Sequence, residues 1–598
     1  MPSATALLAM LSNTRALDVA TVALKGAAVV GSLLFLRGAA YLFNMLVLAP
    51  PFDPLRKLPG PKGTALQNHF RQVLDPQISV LTHRQWTGRY GKMFRFHGFG
   101  KHDYRLMTFD LRAVSHILNS PIYEKPWQTR SLFTMFMGRG VTSLEGAEHK
   151  LQRRVMSPAF SLATTRAMRH ISLFKAAELR DRLLGEVHPA SAEKASSEPI
   201  DIAHWISRAA FDVLGLAAFD YSFDALKDET EPVYRAYRRM FNLMDNGTPF
   251  VLLKDLYFPW IGDIFPDERR RTLNECQRIV RSAGQKVIDA KKAAILEDKM
   301  PCEDGKDLLS LMIKSNLSSD PSKRMSDADL LDQITAFIFG GSDPTFLAIA
   351  WCLHMLSHHP QIQERLRREL EEMVPASPVW TEKSMRSDDI PDSGFEEVFP
   401  AGAAQPSEGA VRATCDAIER LPYLDAVVQE SLRLCPPFHG TIRVATQDDV
   451  IPVSSPVVLK DGTIILEGEG VEIRKGSYIH IPIEGLNQHE SIWGVDARDF
   501  NPDRWSNLPE TARRHPGLQN LMTFSFGPHS CPGFRFAISQ MKIFLATLLP
   551  HFTFKPADGV KIVKYNSIVT KPYVSGKWEL GMKMPMLVEP RENREDDA

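Results

Sequence analysis

The chain has 598 residues, of which 44% are hydrophobic and 24% are charged, and its 71 basic residues balance its 71 acidic residues. This is the composition of an ordinary globular protein, and the lack of net positive charge argues against nucleic acid as a partner. The six cysteines, at positions 276, 302, 352, 415, 435 and 531, include no C-x-x-C pair. Their spacing argues against a zinc site or a disulfide framework and favours a reducing compartment.

Residues 1–49 form an N-terminal region in which the stretch from about 26 to 49 is apolar, with Arg37 as its only charged residue. The length suits a single transmembrane anchor, although a central arginine costs about 2.5–3.5 kcal/mol on insertion scales. A cleaved signal peptide is disfavoured because the apolar run is too long and no small-residue cleavage site follows. The Arg37 interruption leaves a re-entrant or surface-lying segment open. Residues 50–63, PPFDPLRKLPGPKG, predict a proline-rich hinge with positive charge on the cytoplasmic side.

From residue 64 to 598 the chain has no clean linker, which predicts one large domain. Residues 92–110 alternate apolar and polar side chains around glycines, as a short hairpin does. The segment 376–411 is polar and proline-rich, which indicates a surface insertion or partly disordered loop. Helical patterns outnumber strand-like ones, so the fold class is mainly α with small β-sheets (α+β). The long helical patterns cover residues 145–188, 201–220, 270–300, 325–358, 359–373, 417–435 and 532–549.

One cysteine stands in a spaced framework. Residues 524–533 read F-S-F-G-P-H-S-C-P-G, and a helical pattern begins directly after Cys531. A lone cysteine is usually a small buried hydrophobe. Here, however, Gly527 and Gly533 allow the backbone to approach a flat cofactor, and the helix dipole favours a deprotonated sulfur. The framework therefore indicates a metal-bound thiolate at Cys531.

This loop resembles the haem-binding signature of the cytochrome P450 superfamily, in which the cysteine is the fifth ligand of the haem iron. The resemblance implies haem b as cofactor, Cys531 as metal ligand, and Phe524, Gly527, His529 and Gly533 as cofactor-binding residues. His529 stands where the family usually has arginine. A histidine there can still bond a haem propionate, with a weaker and pH-sensitive charge.

Further motifs support the resemblance. Glu430 and Arg433 lie three residues apart in a helical segment, a spacing that by itself is common in exposed ion pairs. Together with Arg504 in FNPDRW they resemble the family's Glu-Arg-Arg cluster, which implies a structural role beneath the haem because a buried guanidinium needs a carboxylate partner.

Propionate partners are implied upstream and downstream of that cluster. GAEHKLQRRVMSPAF resembles the family's propionate-binding helix, with His149 in place of the usual tryptophan and Arg153 as the matching arginine. Arg443 resembles a further propionate partner. The resemblance extends from about Pro59 to Pro585 and is strongest to membrane-bound fungal members, and it implies a cytochrome P450 fold preceded by a membrane anchor.

The oxygen-handling helix corresponds to residues 330–351 and departs from the family pattern at one position. Two adjacent glycines in a helix cost about 1 kcal/mol each against alanine, and the resemblance implies that they widen a groove beside dioxygen. Asp343 matches the family's proton-relaying acid, but Pro344 stands where threonine is usual. A proline cannot donate an amide to the Gly340 carbonyl and is expected to kink or open the helix. Our hypothesis is that Thr345 partly substitutes as a catalytic residue beside Asp343, which requires the kink to shift the register because Thr345 lies about 100° farther round the helix. The alternative is that Thr345 only packs, and that Asp343, water or substrate hydroxyls deliver protons.

The resemblance implies a monooxygenase that inserts one atom of O2 into a hydrophobic small molecule. Its partners are an NADPH–cytochrome P450 reductase, the substrate and membrane lipid, at a single-pass position in the endoplasmic reticulum membrane with the catalytic domain in the cytoplasm. Two alternatives stay open at this point. Pro344 is compatible with a haem-thiolate isomerase or dehydratase that works without O2, and a haem-binding protein without turnover is the second. The expected pocket segments are mixed apolar and aromatic and cover residues 127–140, 242–255, 337–345, 437–441 and 567–572.

Overall fold

The computed structural model describes residues 50–63, 68–187, 198–245, 249–296, 307–318, 320, 324–373 and 407–591, and scattered residues between 25 and 43. Helices make up most of this part of the chain. In chain order they are α1 (Phe70–Leu74), α2 (Ser79–Tyr90), α3 (Leu111–Asn119), α4 (Trp127–Met137), α5 (Gly146–Met156), α6 (Leu162–Ala167), α7 (Arg169–Val187), α8 (Ile202–Phe219), α9 (Pro232–Asp245), α10 (Pro249–Tyr257), α11 (Pro259–Ile264), α12 (Glu268–Leu296), α13 (Leu308–Ser318), α14 (Asp327–Ser357), α15 (Pro360–Met373), α16 (Glu408–Glu419), α17 (Pro422–Leu434), α18 (Ile483–Asn487), α19 (Glu490–Trp493), α20 (Glu510–Arg513) and α21 (Phe534–Leu548).

The strands are short and fall into small sheets. They are β1 (Met93–His97), β2 (Tyr104–Thr108), β3 (Tyr123–Glu124), β4 (Ile200–Asp201), β5 (Thr441–Ala445), β6 (Asp449–Pro452), β7 (Val457–Val458), β8 (Ile464–Ile465), β9 (Gly470–Ile473), β10 (Tyr478–Ile481), β11 (Phe552–Pro556), β12 (Ile562–Asn566), β13 (Thr570–Val574) and β14 (Pro585–Pro590). The largest sheet has the order β1-β2-β10-β5-β3, and β11-β14-β4 form a second sheet. The remaining strands pair as β12-β13, β6-β9 and β7-β8. The mainly α architecture with small β-sheets is therefore confirmed.

The predicted hairpin at residues 92–110 is present as the antiparallel pair β1-β2, in which Phe94 lies opposite Met107. The sheet is completed by β10, which runs parallel to β2 and antiparallel to β5. Both Phe94 and Met107 are fully buried, because this hairpin is covered by the helical body. The sheet thus pairs strands from distant parts of the sequence, since β1 and β2 lie near the start of the domain and β10 follows more than 350 residues later.

The core is organised around α14, which packs on α8, α12, α17 and α21. Ser326 begins α14 with a capping box, since its hydroxyl accepts from the Asp329 amide while the Asp329 carboxylate accepts from the Ser326 amide. Most side chains of the helix are buried. An apolar helix buried on nearly all sides is the element against which the others pack.

Two of the long helical patterns are divided in the structure. The pattern 145–188 is interrupted after α5 by a 3-10 turn, Ser157–Phe160, that contains Pro158. The pattern 417–435 is divided because α16 ends at Glu419 and α17 begins with Pro422. Pro158 lies just after the end of α5, and Pro422 is the first residue of α17. Both positions suit proline, since it lacks the amide hydrogen that the interior of a continuous helix requires. By contrast, α14 is not interrupted at Pro344.

The proline-rich segment 50–63 is joined to the folded body. Its Leu55 and Leu58 are buried, and the Pro59 carbonyl accepts a 2.9 Å hydrogen bond from the Arg95 amide of β1. A Cβ on Gly60 would come within 1.9 Å of the Arg95 carbonyl oxygen, so only glycine allows this close approach.

Much of the predicted anchor lies outside the described residues. Residues 35–40, which are described, are helical and exposed, and Phe35 has 75% of its surface accessible. Most of the predicted insertion 376–411 also lies outside them, and its last residues begin α16, where Val411 is buried.

Two described helices, α8 and α14, are long and apolar enough to cross a membrane, but 83% of the apolar window in each is buried inside the protein. Because their apolar side chains are buried against other parts of the protein, both helices belong to its core.

Glu430 holds two guanidinium groups in the interior. Its carboxylate accepts two 2.8 Å hydrogen bonds from Arg433, and both side chains are fully buried. Arg504 lies 3.4 Å from the same carboxylate and makes a shorter, 2.7 Å ion pair with Asp496, which the sequence motifs did not indicate. Trp505 donates its indole N–H to Glu430 at 3.0 Å. These contacts satisfy the buried charges, as a buried ion pair requires.

Hydrogen bonds connect this cluster to the cysteine loop. Arg433 donates to the Asn487 carbonyl at 2.8 Å, and the Asn487 side chain donates to Thr523 at 2.8 Å and accepts from the Met522 amide at 3.1 Å. Thr523 also donates to the Leu432 carbonyl of α17. The cluster therefore fixes where the loop after Met522 begins.

Replacement Glu430→Gln is expected to destabilise the protein by roughly 3–5 kcal/mol, because it leaves Arg433 buried without its charge partner. Chemical denaturation of the purified protein measures the effect. The matched control is Glu510→Gln, since Glu510 pairs with Arg514 on the exposed surface at 2.9 Å and its loss should change stability by less than about 1 kcal/mol. Equal effects of the two replacements would contradict a structural role for Glu430.

Candidate functional site

The predicted ligand loop is held by its own backbone. The Cys531 amide donates to the Phe524 carbonyl at 2.9 Å, and α21 begins three residues after the cysteine. Gly527 has φ +69°, and a Cβ there would come within 2.6 Å of the Leu118 carbonyl oxygen. This position therefore requires glycine for both conformation and space.

Cys531 is a free, half-buried thiol. Burial raises its pKa, while the Gly533 amide and the charge of Arg153 act in the opposite direction. Apart from the residues adjacent in the chain, the nearest described atom to the place of a Cβ on Gly533 is in the Phe160 ring at 3.6 Å, so packing of the described residues does not demand glycine there. Space left open beside a thiol flanked by a cation fits a flat group ligated by that sulfur.

Basic side chains gather beside the loop. His529 stacks on His149 with ring centroids 4.1 Å apart, and its Nε2 lies 2.9 Å from the Glu145 carboxylate. Lys125 pairs with Glu145 at 3.1 Å and lies 3.4 Å from the other ring nitrogen of His529. The structure thus brings His149 and His529 together and adds Lys125 and Glu145, which sequence reasoning missed.

Arg443 places a buried guanidinium at this site. It is 3% exposed, and its side-chain donors reach only neutral oxygens in the described structure, those of Thr441 and the Ile442 carbonyl. Burial lowers the pKa of Arg443 and of Arg153, with Glu145 opposing it for Arg443 and Cys531 for Arg153. Within the described residues neither guanidinium lies within 4.0 Å of a carboxylate oxygen. A cation in the interior without a carboxylate partner is costly, so both groups favour an anionic ligand.

The charges of this cluster do not balance. Burial lowers the pKa of Lys125 to about 8 and that of His149 to about 3, and it also lowers that of His529. Burial would raise the pKa of Glu145, but the hydrogen bond from His529 and the Lys125 charge lower it to about 2. Glu145 is the only carboxylate that these described contacts supply. The two propionates of a haem would provide the missing negative charge, so the residues fit this cofactor.

A gap lies on the α14 side of the same region. Gly340 is exposed within a buried stretch and has no side chain or neighbouring element within 4 Å of the place of a Cβ. Phe337, one turn earlier, packs against Phe160 with ring centroids 5.7 Å apart, and Phe160 also lies beside Gly533. Phe160 therefore connects the glycine turn of α14 to the cysteine loop, with open space at Gly340 on the same helix.

Asp343 is buried and lies beside α9. Its carboxyl group accepts a hydrogen bond from Tyr237, and its Oδ2 atom is buried without a partner. Ser342 donates to the Tyr237 hydroxyl at 3.3 Å. Burial raises the pKa of Asp343, and Arg238, Lys571 and Tyr237 oppose that rise. A buried carboxyl with a raised pKa retains its proton more readily, as a proton-transfer group requires.

Thr345 is buried, and α14 continues through Pro344. Residues four apart share a helix face, so Thr345 lies on the face of Gly341, whose Cβ position comes within 2.4 Å of Leu214 in α8. The register is not shifted by a helix break. This geometry favours packing of Thr345 against α8 over a position beside the gap at Gly340.

The expected pocket segments converge where they are described. Phe339 of α14 and Phe136 of α4 lie in expected segments, and their rings lie 5.0 Å and 6.3 Å from that of Phe241 in α9, one residue before the expected segment 242–255. Lys571 forms a buried 2.7 Å ion pair with Asp245. The apolar walls agree with the expectation from composition, whereas the charge pair comes from tertiary packing between distant segments.

The comparisons with known proteins agree with this geometry. The family model described as Cytochrome P450 matches residues 58–389 and 404–578. Cytochrome P450 monooxygenase 205 of Postia placenta is 33% identical over 562 residues, covering 91% of this chain and 95% of the relative. Ganoderic acid synthetase of Ganoderma lucidum is 32% identical over 550 residues, covering 88% and 92%, respectively. A P450 monooxygenase of Ampulloclitocybe clavipes is 29% identical over 578 residues, covering 93% and 96%. The chain therefore belongs to the cytochrome P450 family, and its general class is that of the haem-thiolate monooxygenases.

Proposed function

We propose that this protein inserts one oxygen atom from O2 into a hydrophobic small molecule, with electrons supplied by NADPH through a flavoprotein cytochrome P450 reductase. The observation that carries the proposal is the half-buried Cys531 thiol between a glycine-lined gap and a cluster of basic groups with too little negative charge. Aromatic walls near α14 support an apolar substrate.

In this proposal Cys531 ligates the iron of haem b, and Phe524, Gly527 and Gly533 shape the loop around it. The haem, when bound, supplies the oxygen-activating redox chemistry. Gly527 fixes the turn by its contact with Leu118, and the Cys531 amide is held by the Phe524 carbonyl. These contacts orient the sulfur before any substrate arrives.

The propionates are assigned to the basic cluster. The half-buried Arg153 and the buried Arg443 carry guanidinium groups suited to carboxylates, and Lys125 adds a third cation. His149 and His529 stack on each other, so each limits the orientation of the other ring. Glu145 holds Lys125 and His529 in place.

Proton delivery is assigned to Asp343. Its carboxyl group retains a proton because it is buried, and Tyr237 and Ser342 provide hydroxyl groups next to it. These hydroxyls lie on the α9 side of α14, where they can pass a proton toward Asp343. Thr345 is proposed to pack against α8, since Pro344 leaves the helix register unchanged.

We further propose that the chain is anchored in the endoplasmic reticulum membrane by the stretch from about 26 to 49, with residues 50–63 connecting it to a cytoplasmic catalytic domain. The exposed helix at residues 35–40 supports this placement. The folded domain also exposes a run of large apolar side chains in and beside α11. The exposed fractions are 49% for Phe258, 54% for Trp260, 60% for Ile264 and 71% for Phe265. Such a patch favours contact with lipid.

Pro344 favours one second candidate, a haem-thiolate isomerase or dehydratase that uses no external O2. The absence of a threonine hydroxyl at that position reduces the means of protonating oxygen. Retention of Asp343 in a buried, hydroxyl-lined position favours the monooxygenase.

Product formation is expected to require both NADPH and O2, and label from isotopic O2 is expected in the product. The assay uses the haem-loaded protein with its reductase and a substrate identified by a haem spin-state shift. Cys531→Ser should abolish the thiolate-specific absorption of the reduced carbon monoxide complex and the turnover, while Cys415→Ala, a buried thiol on α16, should retain both. Turnover without O2 would establish the isomerase alternative instead.

Replacement Asp343→Asn is expected to lower product turnover about 10²-fold, because the amide cannot carry the transferred proton. Thr345→Val serves as the control and should have little effect if Thr345 only packs. Comparison of product formed per NADPH consumed separates proton delivery from substrate binding. A larger loss in Thr345→Val than in Asp343→Asn would contradict both assignments.

Replacement Pro344→Thr is expected to increase the fraction of NADPH electrons recovered in product, because it adds a hydroxyl one helical turn after Gly340. Pro344→Ala restores the helix amide without a hydroxyl and is therefore the matched control. An unchanged fraction in Pro344→Thr would show that proton delivery does not depend on a hydroxyl at this position.

A further inference from the structure

A cleft of about 730 Å³ lies on the surface outside the haem site. It is formed where α3, the segment after β6, α19 and α20 meet. A volume of this size suits a small organic ligand, since ligand pockets usually measure about 300–1,000 Å³. Its position is separate from the gap at Gly340.

The lining of the cleft is basic. Lys92, Arg112, Arg514 and His116 line it, and none of its described lining residues is acidic. This bias is local, because the whole chain carries no net charge. A second cleft, of about 450 Å³, contains both signs, for example Arg169 and Asp220. The first cleft therefore favours an anion and the second does not.

Two of these cations are available to a ligand. His116 pairs with Asp449 at 2.7 Å, and Arg514 pairs with Glu510. In the described part of the chain, Lys92 and Arg112 have no ion pair within 4.0 Å. Arg112 is exposed and Lys92 is half-buried, so both ammonium and guanidinium groups can be reached from solvent.

The cleft also has hydroxyl and apolar surfaces. Ser115 of α3 and Ser120, the residue after α3, line it, and hydroxyls are frequent partners of phosphate oxygens. Leu111, Ile492 and Pro516 provide apolar walls. Cations with hydroxyls recognise phosphate, while apolar walls accept a ring or chain.

We propose that this cleft binds an organic phosphate, a small molecule in which a phosphate-bearing end meets Lys92 and Arg112 and an apolar body packs on the half-buried Leu111 and Pro516. A concave site of this volume fits a small molecule better than a protein surface, because stable protein interfaces bury about 800 Å² per partner. The cleft adjoins the cysteine loop through Asn119, which lines the cleft and whose Oδ1 lies 2.8 Å from the place of a Cβ on Gly527.

The test is calorimetric titration of ATP, adenosine and pyrophosphate into the haem-loaded full chain. ATP is expected to bind in a saturable, salt-sensitive manner, and adenosine and pyrophosphate are expected to bind more weakly because each carries only part of the recognised chemistry. The double replacement Lys92→Gln and Arg112→Gln should raise the Kd for ATP about tenfold, since two charge-assisted contacts are lost.

The control is Arg89→Gln, an exposed arginine of α2 that lies over Tyr90 and does not line the cleft. It should leave ATP binding unchanged, and all variants should keep the same thermal unfolding midpoint. Three results would overturn the proposal: no saturable ATP binding, equal weakening by Arg89→Gln, or unchanged ATP binding by the double variant together with a weaker complex with the reductase. The last result would assign the cleft to an acidic protein surface.

Discussion

The carboxylate of Glu430, buried among guanidinium groups, is the contact on which the haem-facing half of the molecule depends. It holds Arg433, which in turn binds the Asn487 carbonyl, and Asn487 holds the backbone at Met522. The cysteine loop starts at that point. An unpaired charge in the interior is costly, so the pairing of Glu430 with Arg433 fixes the position of the backbone at Met522, nine residues before Cys531.

The other side of the site depends on an absence of side chains. Gly340 leaves space beside α14, and Gly527 and Gly533 leave space or allow a turn near Cys531. α14 tolerates Gly340 because the other faces of the helix are buried against α8, α12, α17 and α21. Stability supplied by packing thus permits a gap that helix propensity alone would disfavour.

Charge arranges the edge of the site. Lys125, Arg153 and Arg443 come from three separate parts of the chain, and Glu145 is the carboxylate near Lys125 and His529. Burial lowers the pKa of each of the three cations, because removal from water disfavours the charged form. Binding of a dianionic group would stabilise these charges, so cofactor retention and folding are expected to be coupled here.

The sequence alone determined the family and the mainly α class, and it predicted the central residues, because the spacing around Cys531 and the Glu430-x-x-Arg433 pair are local patterns. It also predicted the hairpin at β1-β2 and the existence of α14. Local patterns could not show that Lys125 and Glu145 join His529, that Asp496 shares Arg504, or that Tyr237 reaches Asp343, since those partners are brought together only by packing of distant segments.

The course of α14 through Pro344 was likewise decided by tertiary structure. The missing amide predicts a kink or an opening, but packing on four neighbouring helices keeps the helix continuous and leaves Thr345 on the face toward α8. Local chemistry sets which hydrogen bond is lost, whereas burial of the surrounding side chains decides whether the helix continues.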